Sequence, residues 1–401
     1  MRRLFFFGLF VFLIPVLPKA QTLMKDVIHA FGLYESGQYE EAVTAFDKVI
    51  DNYSGYDQKS TLYRGMAFFH LKAYQAAESD LRKSAGEGDP EAFLWLARLY
   101  VLTGSYTEAV NAIEKYITES GHPDVSDIKK DTLFRKLHNT QEWFALWQKE
   151  LLSEEGAVQE DVSYYLGKND FAEAHGLVET KLGSGPDDAW LYGLNSEIYA
   201  RENIYQLAVN DINKAITLQP ENVRFWKLKA EYLVALGKYR EATGMFSKIL
   251  DASPEDFDSR FRRAETAYYS EDYDLAESDN QLYLSYFNTP GAVFLMGQIL
   301  YAKGAYVDAL KYINKIIHDE EPMARYLSLR GMIYYQTETY QYASQDLSMS
   351  LDLEPRDKQT NLYLGLAEYH LGNRNLCCYY LKRAKEFGEL AAIEYLRKYC
   401  E

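Results

Sequence analysis

Residues 223–256 read VRFWKLKAEYLVALGKYREATGMFSKILDASPED, and this stretch decides the fold. Trp226, Ala230 and Leu233 fall at i, i+4 and i+7, one apolar stripe of a first helix, and Gly237 can end that helix in a left-handed conformation. Tyr239, Ala242, Phe246 and Ile249 repeat the helical spacing in a second helix. Pro254 stops it, because proline lacks a backbone donor and clashes with the preceding turn. The stretch is a helical hairpin.

The hairpin recurs along the chain. The small residue of its second helix reappears as Ala42, Ala77, Ala109, Ala174, Ala208, Ala242, Ala276, Ala309, Ala343 and Cys377, with gaps of 35, 32, 65, 34, 34, 34, 33, 34 and 34. Twelve residues earlier a second small position reads Ala30, Gly65, Ala97, Ser196, Ala230, Ala264, Gly297, Gly331 and Gly365. Small side chains at both positions let paired helices approach closely. An aromatic stands three places before the second-helix small residue, from Tyr39 and Tyr74 through Tyr239 and Tyr273 to Tyr306 and Tyr340, where it can wedge the start of that helix. Much of the content of 35 tyrosines is therefore structural.

The period near 34 and the Trp226, Ala230, Gly237, Tyr239, Ala242, Phe246, Pro254 pattern resemble the tetratricopeptide repeat. The resemblance implies an all-α fold, an α/α superhelical solenoid of about 10–11 hairpins with a C-terminal capping helix. Its expected organisation is a leader over 1–20, repeats 1–3 over 21–121, a degenerate repeat or seam over 122–155, repeats 5–11 over 156–388 and a cap over 389–401. The seam fills the 65-residue gap between Ala109 and Ala174, with SDIKKDTLFRKL as one helix and TQEWFALWQKELLSEE as the next. Trp143 and Trp147 then share a stripe that fills an irregular joint. In the cap, Leu390, Ile393 and Leu396 are expected to cover the exposed face of the last hairpin. This end of the chain also resembles the cysteine-bearing end of exported tetratricopeptide proteins of Gram-negative bacteria. That likeness implies a Cys378–Cys400 disulfide with Cys377 left free.

Arg2 and Arg3, the apolar run Leu4 to Ile14, Pro15 and the step at Lys19-Ala20-Gln21 have the layout of a secretory signal peptide. The run is shorter than the roughly 18 residues of a spanning helix. Export is the expectation, to the periplasm, with outer-membrane association or secretion as alternatives, a mature chain starting near Gln21 and no membrane insertion after cleavage. The formal charge is −16, and loss of the leader removes only cations. Nucleic acid and anionic lipid are poor partners for such a chain.

The seven histidines are scattered, with no His-Glu-x-x-His pair, no cysteine pair at metal spacing, no phosphate loop and no nucleophile elbow. No catalytic residue, metal or cofactor is therefore assigned. His122-Pro123-Asp124 matches the J-domain tripeptide but reads as a turn between repeats. By resemblance, a protein or peptide partner lies along the groove lined by first helices, at positions five, nine and twelve. In three consecutive repeats those positions are Phe261, Glu265, Tyr268; Phe294, Gln298, Tyr301; and Ser328, Met332, Tyr335. This aromatic stripe is either a binding surface or a packing seam between first helices. The family's carboxylate clamp is absent, since its positions hold Val27 and Phe31, Leu62 and Met66, Lys227 and Glu231, and Phe261 and Glu265. The expected function is a non-catalytic scaffold of the bacterial envelope. Two alternatives stay open: an exported enzyme or sensor with dispersed groove residues, and a secretory-lumen chaperone adaptor, for which Asn52-Tyr53-Ser54 is a lone glycosylation candidate.

Overall fold

The computed structural model describes residues 17–53, 55–120, 125–149, 151–152, 154–185, 187–321 and 323–401. Most of the expected leader, the His122-Pro123-Asp124 tripeptide and Ser54 of the glycosylation candidate lie outside the described residues. These form 23 α-helices and no strand, and among them no helix is long and apolar enough to cross a membrane. The helices gather into two compact units.

The first unit runs to Asn222 and includes Ser253–Glu255. Its hairpins are α1 (Leu17–Glu35) with α2 (Tyr39–Asn52), α3 (Asp57–His70) with α4 (Tyr74–Gly86), and α5 (Pro90–Thr103) with α6 (Tyr106–Glu119). After an irregular segment follow α9 (Glu154–Gly167) with α10 (Phe171–Ser184) and α11 (Ala189–Arg201) with α12 (Tyr205–Leu218). The second unit, Val223–Ala252 with Asp256–Glu401, pairs α13 (Val223–Ala235) with α14 (Tyr239–Ala252) and α15 (Phe257–Tyr269) with α16 (Tyr273–Leu284). It continues with α17 (Pro290–Ala302) and α18 (Tyr306–Asp319), α19 (Ala324–Gln336) and α20 (Tyr340–Leu353), α21 (Lys358–His370) and α22 (Arg374–Glu386), and ends in α23 (Ala391–Tyr399).

The small-residue register is the spine of both units. All ten second-helix residues, Ala42 through Cys377, are 0 % exposed, and all nine first-helix partners are buried. Five residues before each second-helix small residue the chain turns through a positive φ. Gly37, Gly104, Gly237, Gly304 and Gly372 occupy that slot at +70 to +83°, and Lys72, Asn169, Asn203, Glu271 and Glu338 hold the same conformation at +58 to +66°. The turn is thus imposed by the hairpin: two repeats adopt it with asparagine, which tolerates the left-handed region, and three with Lys72, Glu271 or Glu338, which do not favour it.

A polar pairing locks several hairpins. Arg64 grips Asp80 through two hydrogen bonds of 2.7 and 2.9 Å, Arg263 grips Asp279 at 2.6 and 2.8 Å, and Arg330 grips Asp346 at 2.6 and 2.9 Å. Asn195 donates to Asp211 at 2.6 Å in the same register. Each donor directly precedes the small residue of its first helix, so the ion pair bridges the helices beside their closest approach. Bidentate geometry in a half-buried setting is the form in which such a pair contributes most.

The segment expected as a degenerate repeat is less regular than two helices. The first stretch breaks into α7 (Val125–Lys130) and a 3₁₀ turn, Thr132–Lys136. Asp131 ends the helix because its carboxylate accepts from the Leu133 amide at 2.9 Å and pairs with Arg98 of α5 at the same distance. The second stretch keeps only α8 (Gln141–Leu146), capped by Thr140, before helix resumes at Glu154. Trp143 is buried with Phe134, Leu137 and Leu146 in the core of the preceding hairpins, and Trp147 meets it edge-on at 5.3 Å. A separate core, Val158 to Ile198, begins beyond.

In the cap, α23 covers the last hairpin with Ala392, Tyr395, Leu396 and Tyr399, the last stacked on Tyr369 at 3.7 Å. Leu390, expected on that covering face, is 76 % exposed, because α23 starts one residue after it and the preceding turn directs it to solvent. Cys378 of α22 is bonded to Cys400 at the end of α23, and Cys377 is a buried free thiol.

Candidate functional site

The first helices of the second unit touch one another in succession, α15 with α17, α17 with α19 and α19 with α21. Positions five, nine and twelve of a helix share a face, being four and three residues apart. The structure divides the nine stripe residues by what they touch.

Tyr268, Phe294, Gln298, Tyr301, Ser328 and Met332 line one cleft of about 240 Å³. Phe261, Glu265 and Tyr335 lie outside it. Phe261 packs on Tyr283 with ring centres 4.9 Å apart, and Glu265 pairs with Arg262 at 2.7 Å. Tyr335 sits among Tyr340, Tyr363 and His370 at 5.8, 5.3 and 5.9 Å. Tyrosines at position twelve share one packing duty. Tyr268, Tyr301 and Tyr335 each rest on the aromatic that opens the second helix of their own hairpin, Tyr273, Tyr306 and Tyr340, at 6.0, 5.7 and 5.8 Å.

The cleft walls add residues outside the stripe. Arg325 holds its guanidinium over Phe294 and Tyr326, 5.3 and 5.0 Å from the ring centres, and donates to the Tyr326 hydroxyl at 3.1 Å. Ser328 and Thr360 share a hydrogen bond of 2.6 Å across α19 and α21. Asp357 accepts from the Thr360 amide at 2.6 Å, capping α21, and Glu354 lies near it. At the rim the Tyr301 hydroxyl donates to that of Tyr363 at 3.2 Å. Burial pushes the Tyr268 and Tyr335 hydroxyls up to about 12, with neighbouring tyrosines adding to the effect, so both stay protonated at neutral pH. The cleft therefore offers an aromatic and thioether floor, neutral hydrogen-bonding groups, one cation and two carboxylates. Such a lining can grip a chain segment. Among the described residues it holds no cluster of three metal-ligating groups.

Arg325, Glu354 and Thr360 escaped sequence reasoning because they stand off the five-nine-twelve register.

A model described as tetratricopeptide repeat matches residues 32–92, 197–257 and 227–293, and a second of the same description matches 90–121. These hairpins are tetratricopeptide repeats. Tetratricopeptide repeat protein 16 of Macaca fascicularis is 26 % identical over 175 residues, 44 % of this chain and 18 % of the relative, so the chain spans under a fifth of that protein. Among solved structures, a tetratricopeptide repeat protein of Parabacteroides merdae is 16 % identical with a TM-score of 0.50, covering 62 % of this chain and 99 % of that one. The APC/C hetero-tetramer Cut9–Hcn1 gives 14 % identity and a TM-score of 0.50 over 93 % of this chain and 82 % of that one. Identities this low speak to the fold alone. Repeats of this kind commonly serve as protein-interaction scaffolds.

Proposed function

We propose that the chain is an exported, non-catalytic scaffold that holds an extended segment of a protein partner in the cleft between α17, α19 and α21. The observation that carries this reading is the convergence of Phe294, Gln298, Ser328 and Met332 from successive first helices on one open cleft. Aromatic and thioether groups supply contact area at low entropic cost, and Gln298, Ser328 and Arg325 can satisfy the backbone of a bound segment. The leader layout of residues 1–20 and the disulfide of the cap support export, since disulfides persist in oxidising compartments. The acidic surface favours protein over nucleic acid as partner.

Selecting a library of extended peptides against the full chain tests the cleft. Peptides so selected should crosslink to a photoreactive residue at position 298, and Phe294→Ala with Met332→Ala should weaken them by roughly 2 kcal/mol per residue of hot-spot character. Peptides that bind both variants as tightly as the parent remove the cleft from consideration. The intact mass of secreted protein tests export separately, with a start near Gln21 expected and retention of residues 1–18 counting against it.

A further inference from the structure

The cap gathers all three cysteines of the chain. Cys377 and Cys378 are neighbours on α22, Cys400 ends α23, and the three sulfur atoms lie within 4.8 Å of one another. Cys377 is fully buried in an apolar shell that includes Leu362, Leu366 and Leu381, while Cys378 and Cys400 are half-buried. Among the described residues no histidine or carboxylate joins the cluster. Spacing within the sequence does not announce this group, because two adjacent cysteines and one distant cysteine match no metal-ligand pattern. The packing of α23 on α22 brings them together.

Three thiolates at metal–sulfur distances of about 2.3 Å around a planar three-coordinate ion stand roughly 4 Å apart. The sulfurs of this cap need only part from their bond to reach that spacing. A donor set of three thiolates without a fourth protein ligand suits a soft ion that accepts three-coordination. Copper(I) prefers thiolate donors, whereas structural zinc closes a four-ligand tetrahedron.

We propose that on reduction of the Cys378–Cys400 bond the thiolates of Cys377, Cys378 and Cys400 bind a single copper(I) ion, which replaces the disulfide as the tie between α22 and α23. In the first step a dithiol reductant supplies two electrons and two protons. The Cys378–Cys400 bond breaks to two thiols, and the reductant closes to its own disulfide. Copper(I) then displaces the three thiol protons, one from each cysteine. Because three thiol protons must leave, affinity falls as pH falls. Arg374, whose Nε donates to the Tyr399 carbonyl at 2.9 Å, brings positive charge to the same corner and offsets the excess negative charge of the loaded site. Glu368 opposes it from the buried side. This proposal stands on the cap alone and is independent of the cleft.

The test uses the full chain, reduced with a phosphine in the absence of oxygen and titrated with copper(I) against a chromophoric copper(I) chelator. Expected are one copper per chain and three sulfur neighbours by X-ray absorption. At least a tenfold loss of affinity is expected in Cys377→Ser, a variant that keeps the disulfide pair. Cys400→Ser, at the chain end, must show the same loss and serves if Cys377→Ser fails to fold, as judged by circular dichroism. The unreduced chain should retain no copper on desalting. Failure of the reduced chain to bind copper, two-sulfur coordination indifferent to either substitution, or preference for zinc over copper(I) overturns the proposal.

Discussion

The hairpin pair α1 to α3 in the first unit and the pair α19 to α21 in the second carry the same four-ring cluster. In one, Tyr34 meets Tyr39, Tyr63 and His70 at 5.7, 5.1 and 6.2 Å, and His70 stacks on Tyr39 at 4.4 Å with planes 5° apart. In the other, Tyr335 meets Tyr340, Tyr363 and His370 at 5.8, 5.3 and 5.9 Å, and His370 stacks on Tyr340 at 4.2 Å and 4°. Near-identical geometry in two separate units marks these rings as a packing device of the repeat. Three differences surround it. The close-approach residue is Ala30 in one pair and Gly331 in the other, and the turn residue is Gly37 in one and Glu338 in the other. Only the second cluster reaches a cleft-lining ring, through the Tyr363–Tyr301 hydroxyl pair. A tyrosine at position twelve is therefore a structural part in both units, and what differs between them is what adjoins it.

The largest expected effect follows from that equivalence. Tyr34→Ala and Tyr335→Ala should each destabilise their own unit by about 2 kcal/mol, below the range for fully buried aromatics because both rings are half-buried. Hydrogen exchange should localise the loss to α1–α3 or α19–α21, since each repeat contacts mainly its neighbours. Peptide binding in the cleft should survive Tyr335→Ala. If only Tyr335→Ala abolished binding while leaving exchange rates unchanged, the two clusters would not be the same device.

Next comes the close-approach position. A Cβ on Gly331 would lie 2.6 Å from Leu347 Cγ and 3.2 Å from the Leu347 backbone nitrogen, so the neighbour cannot simply swing aside. Helix propensity favours alanine by about 1 kcal/mol, and overpacking costs roughly 1–3 kcal/mol. Gly331→Ala should thus destabilise by about 1 kcal/mol net in urea unfolding, although alanine fills the corresponding position 30. A stabilised variant would show that α19 and α20 can separate as easily as α1 and α2.

How much of this was readable in advance depends on whether a feature repeats. The small-residue register is legible because every hairpin needs close approach at the same two places, and all ten second-helix positions from Ala42 to Cys377 are fully buried. The turn slot is half legible: glycine advertises a positive φ, but Lys72 and Glu338 adopt it under tertiary constraint with no local signal. The Arg64–Asp80, Arg263–Asp279 and Arg330–Asp346 pairs recur at one spacing but only in some repeats, and charge elsewhere on these helices masks them. Between Val125 and Leu152 periodicity fails, because Asp131 answers to Arg98 and to the Leu133 amide instead of to a helix. The stripe itself was legible as a face, but its division into cleft and packing residues was not. Tyr335 and Met332 look alike in register and differ only in what later helices place beside them.

The turn slot gives a smaller effect of opposite sign. Glu338 sits at a φ of +58° where its counterpart is glycine at +79°. Relief of the left-handed strain, on the order of 1 kcal/mol, is partly offset by the greater freedom of glycine in the unfolded chain. Glu338→Gly should therefore stabilise the second unit by roughly 0.5 kcal/mol, read as a slight rise in the urea midpoint. A lowered midpoint would mean that the carboxylate contributes more to the hairpin than its backbone conformation costs.

The smallest effect concerns the histidine of the first cluster. Desolvation first, and Arg98 second, hold the His70 imidazole below its ordinary value. The folded chain thus refuses a proton that the unfolded chain accepts. His70 contributes stability that is complete above about pH 6.5, the unfolded value, and is lost as pH falls through that value towards the folded one. The ring is partly exposed, so solvent screening keeps the change well below about 1 kcal/mol. Protection against hydrogen exchange in α1–α3, taken relative to the intrinsic rate at each pH, should fall slightly between pH 7 and pH 5, and His70→Gln should flatten that dependence while weakening the stack on Tyr39 at all pH values. Arg98→Met sharpens the comparison, because it removes the repelling charge but leaves the ring stack in place, and it should shrink the acid loss without touching α19–α21. An acid loss of equal size in His70→Gln would assign the effect to other groups.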